Sequence, residues 1–311
     1  MKIAFLDTST IGEVSALKRI NSLGELTCYE ITPPNEVFER VKDVDVIITN
    51  KVIISKQVID NAPKLKLVCI AATGMNNVDL DYAAEKGITV KNVNDYSTES
   101  VAQSTFTMLL HLIGKTTYYD SYVKSGEYSK STIFTHHGRS FWQLAGKRYG
   151  IIGLGNIGKR VAKIASAFDC EIVYYSTSGK NQNPDFKRLG LNELLSTSDV
   201  VSIHAPLNDN TKNLIQLEQI KLMKPNAYLI NVGRGGIIDE EALTKALNEN
   251  LIAGAGVDVF TSEPMPSGNP LLKVTNPEKI VFTPHTAWAS IEARNLLVEK
   301  IYVNIENFKN A

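Results

Sequence analysis

Residues 149–160 read YGIIGLGNIGKR, an apolar run that ends in a glycine turn and passes into an amphipathic stretch. Gly153, Gly155 and Gly158 form the pattern G-x-G-x-x-G at that turn. The first glycine permits a tight turn, the second lets a pyrophosphate approach the backbone, and the third lets helix and strand pack closely. A helix beginning there offers its unpaired N–H groups to an anion. The pattern is weak alone, but strand, turn and helix stand here in the right order, so dinucleotide binding is expected over a ligand-free glycine turn. Gly153 through Lys159 also satisfy G-x-x-x-x-G-K, yet the next residue is Arg160. The hydroxyl that would hold Mg²⁺ in a nucleoside triphosphatase is missing, and that reading is set aside.

Outward from the turn, short β-branched runs alternate with amphipathic stretches. Strands are expected at residues 2–6, 44–48, 67–71, 149–153, 171–175, 199–204, 227–231, 254–259 and 280–283, and helices at 157–168 and 239–248 with Asp239 as cap. Runs such as VDVIIT and DVVSIH are continuously apolar, which suits strands buried on both faces of a parallel sheet. The class is α/β, with right-handed crossovers. Residues 1–95 repeat this unit without a phosphate loop, and NDYSTESVAQSTFTMLLHLI (94–113) then opens a long helix with Ser97 or Thr98 as cap. Residues 115–142 are polar and aromatic with little sheet pattern. They read as an arm between subunits or, more simply, as a surface loop with one short helix.

Composition narrows the function. The 311 residues suit about two domains, with 43% hydrophobic and 21% charged residues. Thirty-three basic residues balance thirty-three acidic ones, so the basic excess expected of a nucleic-acid or anionic-membrane binder is absent. Cys28, Cys69 and Cys170 are widely spaced and form no C-x-x-C pair, against a disulfide scaffold or a metal site built on cysteine. The opening MKIAFLD is too short for a signal segment, and no run approaches the ~18 apolar residues needed to cross a bilayer. A cytoplasmic protein is expected.

The stretch CEIVYYSTSGKN (170–181) bears on the dinucleotide. An NAD site usually places an acidic residue ~20 residues past the glycines, on the ribose 2′-hydroxyl. Ser176 stands there instead, followed by Thr177, Ser178 and Lys180. Without the carboxylate a 2′-phosphate is not repelled, and hydroxyls plus Lys180 can bind it, so NADP(H) is favoured over NAD(H). Ordinary loop residues beside an NAD(H) that lacks the acidic contact remain the alternative.

Three more motifs follow: INVGRGGIIDEEAL (230–243), AGVDVFTSEP (255–264) and FTPHTAWAS (282–290). Each places polar residues just past an expected strand, where open α/β sheets bind ligands. With the glycine turn, and with ATGMNNVD (72–79) and ESVAQ (99–103), the chain resembles the D-isomer-specific 2-hydroxyacid dehydrogenases over nearly its whole length. STSGKN (176–181) and PHTAWAS (284–290) resemble the hydroxypyruvate reductase, or glycerate dehydrogenase, branch.

The resemblance implies roles for particular residues. Arg234 would bind the substrate carboxylate and carbonyl, for which a planar, always-charged fork is suited; alone, it would read equally as a loop ion-pair residue. His285 would be the acid/base, since a keto acid receiving a hydride also needs a proton. Glu263 would be its carboxylate partner, favouring imidazolium and fixing the ring. His111, on an apolar helix, and His136 and His137, in the arm, have no ligand-spaced partners. The backbone of Thr73 and Gly74 would cradle the substrate carboxylate, and Asn156 and Ile157 would meet the pyrophosphate. His204, Ala205, Pro206 and Thr211 would line the adenosine side; His204 alone reads also as a strand-end packing residue. Val232, Gly233 and Asp258 would flank the nicotinamide, and no metal is implied. Gln103 stands where the family usually has Glu, a position that supports the long helix more than the chemistry.

The resemblance further implies two Rossmann-like parallel-sheet domains, one flavodoxin-like and one dinucleotide-binding, facing across a cleft. Residues 1–97 with 289–311 would take substrate, 98–288 the cofactor, and a homodimer is expected. The implied reaction is reduction of a small 2-keto acid to the D-2-hydroxy acid, hydroxypyruvate or glyoxylate first. A D-lactate-type enzyme and a nucleotide-sensing corepressor-like binding protein stay open. Phosphoglycerate is disfavoured because the chain leaves no room for an added regulatory domain. Formate is disfavoured because the formate dehydrogenases resembling this family have Gln at the position of Glu263.

Overall fold

Apolar runs with no polar interruption become strands covered on both faces. The segments VIIT and LVCI, Val46–Thr49 and Leu67–Ile70, are buried at every position. The computed structural model describes all 311 residues, which form two units: Met1–Ser97 with Ala289–Ala311, and Thr98–Trp288. No helix is long and apolar enough to cross a membrane.

The first unit holds β1 (Lys2–Phe5), β2 (Glu25–Cys28), β3 (Val46–Thr49), β4 (Leu67–Ile70) and β5 (Thr89–Lys91). Their order is β2-β1-β3-β4-β5 and every pairing is parallel, the flavodoxin-like arrangement. Four short helices connect them: α1 (Leu17–Ile20), α2 (Val37–Val41), α3 (Lys56–Asp60) and α4 (Leu80–Glu85). Asp7, just past β1, is buried and accepts hydrogen bonds from the amides of Asn50, Lys51 and Val52, which fixes the turn after β3.

The second unit begins with α5 (Thr98–Gly114) and α6 (Thr116–Lys124), joined by Lys115 in the left-handed region at φ 50°. Then come β6 (Arg148–Ile152), α7 (Asn156–Ala167), β7 (Glu171–Tyr175), β8 (Lys187–Arg188), α8 (Leu191–Thr197) and β9 (Val200–Ile203). They are followed by α9 (Leu217–Leu222), β10 (Tyr228–Asn231), α10 (Glu240–Asn248), β11 (Gly254–Val257) and β12 (Ile280–Phe282). The strands run parallel in the order β12-β11-β10-β9-β6-β7-β8. This is the dinucleotide-binding order extended by one strand, and its direction reverses between β6 and β9. α5 lies close on β11, where a Cβ on Gly256 would come within 3.0 Å of the Met108 side chain. Asp239 caps α10 by accepting from the Ala242 amide at 2.9 Å, as the sequence led one to expect. The last helix, α11 (Ile291–Asn310), starts at Ser290, packs on β4 of the first unit and buries Leu297, Val298, Ile301 and Ile305.

Nine strand expectations correspond to β1, β3, β4, β6, β7, β9, β10, β11 and β12, some ending one or two residues earlier. β2, β5 and β8 were not expected from the sequence. All three are sheet edges with mostly partial or full exposure, so they lack the apolar signal that marks the interior strands. Residues 115–142 contain α6 and a short turn at Tyr128–Lys130, and the rest is irregular. The Tyr122 and His136 rings stack at 3.8 Å, and Arg139 makes a two-pronged ion pair with Glu278 at 2.9 and 3.1 Å.

Candidate active site

The glycine turn shows why three glycines are needed at this spacing. Gly153 has φ 92°, and a Cβ there would sit 2.9 Å from the His204 carbonyl oxygen. A Cβ on Gly158 would lie 2.2 Å from the Gly153 carbonyl oxygen, so the contact of helix and strand excludes a side chain. Around Gly155 a Cβ meets nothing within 4 Å. Two of the glycines are therefore demanded by packing, and the middle one holds open the space above the turn. The first turn of α7, with Asn156 and Ile157, directs backbone N–H groups toward that space.

Across the reversal of strand order, His204, Ala205 and Pro206 follow β9 directly. Nε2 of His204 pairs with the Ser202 hydroxyl at 2.8 Å, while Nδ1 is buried with no partner in the protein. Burial pushes this imidazole down to about 3, so it stays neutral. Thr211 is buried; its hydroxyl donates to the Pro206 carbonyl at 2.7 Å and accepts from the Asn208 amide, closing the loop that carries Pro206. An open cradle at Gly155 and an orphaned ring nitrogen beside it fit a bound dinucleotide.

At the end of β7, Ser176 is buried, and its hydroxyl accepts from the Asn181 amide at 3.3 Å. Ser176 thus closes the turn through Thr177, Gly179 and Lys180, and its carbonyl also accepts from the Gly179 amide at 3.2 Å. Lys180 is exposed. Arg188, which the sequence pattern did not single out, donates to the Gly179 carbonyl at 3.0 Å from the neighbouring edge strand.

The three residues assigned to the chemistry follow three adjacent strands. Asn231 pairs with Val257 and Val257 with Phe282, so β10, β11 and β12 end in register. Past β10, Val232 is buried and the Asn231 side chain accepts from the Gly233 amide and donates to the Arg234 carbonyl. A Cβ on Gly235 would lie 1.9 Å from the Phe260 carbonyl oxygen, so only glycine lets this loop rest on the next one. Arg234 is exposed, and its Nη1 donates to the Gly233 carbonyl at 2.8 Å.

Past β11, Glu263 accepts from the Phe260 amide through Oε1 at 3.0 Å, while Oε2 lies 2.7 Å from Nδ1 of His285, which follows β12. The structure thus joins Glu263 and His285 directly and sets Arg234 on the adjoining strand's loop. His285 itself has φ 55°, and its amide donates to the Asp258 carbonyl at 2.8 Å. The Asp258 carboxylate is buried and accepts from the Thr283 hydroxyl and the amides of Thr286 and Ala287. Burial pushes this carboxyl up, and the same hydrogen bonds oppose the rise. Asp258 therefore braces the turn that presents His285, a role the sequence did not reveal because two of its three donors are backbone amides. In the first unit, Thr73 and Gly74 follow β4; the Thr73 hydroxyl donates to the Val93 carbonyl at 3.0 Å and the Thr73 carbonyl accepts from Asn92.

Comparison with known proteins agrees with this layout. Residues 106–287 match the family described as "D-isomer specific 2-hydroxyacid dehydrogenase, NAD binding domain". The chain is 36% identical to a glycerate dehydrogenase from Methylorubrum extorquens over 99% of this chain and 96% of the relative. It is 35% identical to a hydroxypyruvate reductase from Blautia hydrogenotrophica over 99% of this chain and 97% of that one. Among solved structures, an acyclic imino acid reductase in complex with NADPH and D-Arg superposes with a TM-score of 0.88 at 30% identity, covering 100% of this chain and 97% of that one. A parallel sheet with a glycine turn at its reversal point, a carboxylate-braced histidine and this whole-length similarity lead to one assignment: the chain belongs to the D-isomer-specific 2-hydroxyacid dehydrogenases, oxidoreductases that act on CH–OH groups with a nicotinamide dinucleotide.

Proposed function

We propose that this chain reduces a small 2-keto acid, hydroxypyruvate or glyoxylate, to the D-2-hydroxy acid, with NADP(H) preferred over NAD(H). The observation that carries the reading is the 2.7 Å contact of Glu263 with His285 on the sheet edge that also bears the Arg234 loop and the glycine turn. The reduced dinucleotide, when bound, supplies the hydride that the keto carbon accepts. Gly153, Gly155, Asn156, Ile157 and Gly158 would hold its pyrophosphate. His204, Ala205, Pro206 and Thr211 would line the adenosine side, and Val232, Gly233 and Asp258 the nicotinamide side.

Arg234 turns from its own loop carbonyl to the substrate carboxylate and keto oxygen, orienting the acid and polarising the carbonyl. With Nδ1 committed to Glu263, the proton of His285 that can leave sits on Nε2, and it goes to the keto oxygen as the hydride reaches carbon. Glu263 stabilises the imidazolium before transfer and keeps the ring in one orientation. Thr73 and Gly74, at the carboxyl edge of the first sheet, are assigned to the substrate carboxylate through their backbone N–H groups.

The relatives named glycerate dehydrogenase and hydroxypyruvate reductase support the choice of substrate, and the NADPH complex of the imino acid reductase supports the cofactor. The second unit is proposed as the cofactor domain and the first as the substrate domain of a cytoplasmic enzyme. The arm at residues 115–142 is proposed to dock on a second copy of the chain, since Phe134 is 90% exposed and is tied through its carbonyl to Tyr128, whose ring adjoins the stacked Tyr122 and His136. Nicotinamide absorbance, followed with hydroxypyruvate, glyoxylate and pyruvate against both dinucleotides, tests the function. Fastest turnover of hydroxypyruvate or glyoxylate with NADPH is expected; preference for pyruvate gives the D-lactate-type reading instead, and no turnover of any keto acid overturns the proposal.

A further inference from the structure

The groups left at the end of β7 are cationic. From Ser176 to Gly190 the chain carries Lys180, Lys187 and Arg188 against the single acid Asp185. Asp185 makes no ion pair with any of them, and neither Lys180 nor Arg188 has a carboxylate partner anywhere in the chain. Such solvated cations are common on surfaces, but these two flank the turn that Ser176 closes. Arg188 is held there by its bond to the Gly179 carbonyl at 3.0 Å, which uses one of its five N–H donors. β8 pairs in parallel with β7, Tyr174 opposite Arg188, so the guanidinium is anchored on the strand next to the one that carries the turn.

The Ser176 hydroxyl, in contrast, is buried and engaged with Asn181, so it sets the turn rather than facing out of it. We propose that Arg188, tethered to Gly179 beside Lys180, is the residue that selects a 2′-phosphorylated adenine dinucleotide. The inference rests on the NADP(H) reading above and moves its physical basis from Ser176 to Arg188. A guanidinium fork matches two oxygens of a phosphate monoester, whereas an unphosphorylated ribose gives it nothing of comparable strength to bind. Lys180 adds a mobile point charge.

The test is calorimetric binding of 2′,5′-ADP and 5′-AMP to the full-length protein, before and after Arg188→Gln. Arg188 is exposed and makes a single hydrogen bond, so an unchanged Tm is the control for folding. The wild type is expected to bind 2′,5′-ADP more tightly than 5′-AMP. Arg188→Gln should weaken 2′,5′-ADP by about tenfold to a hundredfold and leave 5′-AMP within about twofold, with the KM for NADPH rising in parallel. Arg188→Lys should restore part of the loss, because charge returns without the fork. A wild type that prefers 2′,5′-ADP and a variant that still does would overturn the role of Arg188 and leave the cofactor reading intact. A wild type without that preference overturns both.

Discussion

Glu263 Oε2 and His285 Nδ1 are 2.7 Å apart, although the two residues stand on loops after different strands. The contact leaves the far nitrogen of the ring for proton exchange. His285→Ala is expected to lower kcat by about 10²–10⁴-fold with little change in dinucleotide binding. Glu263→Gln keeps a hydrogen-bonding group but removes the charge and should fall between that variant and wild type. Steady-state kinetics paired with dinucleotide titration check both; a His285→Ala enzyme with normal kcat removes the residue from its role.

Arg234→Lys retains charge and loses the fork. The expected result is a fall in kcat/KM for the keto acid of roughly tenfold to a hundredfold, carried largely by KM, with the KM for the dinucleotide unchanged. Kinetics close to wild type would mean that another group holds the carboxylate.

The glycine turn separates folding from binding within three residues. Gly155→Ala introduces a methyl that meets no protein atom, so Tm should hold while the dinucleotide Kd rises. Gly158→Ala drives a Cβ to 2.2 Å from the Gly153 carbonyl and should cost about 1–3 kcal/mol of stability. Melting curves with and without dinucleotide distinguish the two, and equal Tm losses would contradict the packing described.

Asp199 ties the starts of two central strands together. Its carboxylate accepts from the Arg148 amide at 2.9 Å and from Lys224 Nζ at 2.8 Å. Burial acts to raise this carboxyl, but the Lys224 bond and charge and the Arg148 amide outweigh it, and the group lies below its ordinary value. A depressed carboxyl contributes stability above the unfolded-state value near ~3.9, and that contribution is lost as pH falls through the folded-state value. Asp199→Asn should therefore lower Tm at pH 7 by a few degrees, from a loss of about 1–2 kcal/mol, with the gap closing below roughly pH 4. A gap that is constant with pH would assign the loss to packing.

The interior of both sheets was legible in the sequence because those strands are buried on both faces and write themselves as unbroken apolar runs. β2, β5 and β8 were not, since an edge strand half in water needs no such run. At the site, the glycine spacing and the loops bearing Arg234, Glu263 and His285 could be read from motifs. Asp258 could not be read as the brace of His285, because the amides of Thr286 and Ala287 that it holds carry no side-chain signature. Arg188 was hidden for another reason: it reaches the Ser176 turn only through the pairing of a two-residue strand.

The strand order also bears on how this protein can be altered. β7 and β10 are separated by β6 and β9, which at ~4.8 Å per neighbour puts the two loop clusters ~14 Å apart along one edge. At that spacing, with no shared hydrogen-bond partner in the protein, effects of substitutions on folding stability sum to within about 0.3–0.5 kcal/mol. Losses or gains of folding stability from libraries varied at one cluster can thus be added to those at the other, whereas ligand preference needs paired screening, because the proposed dinucleotide would reach both clusters.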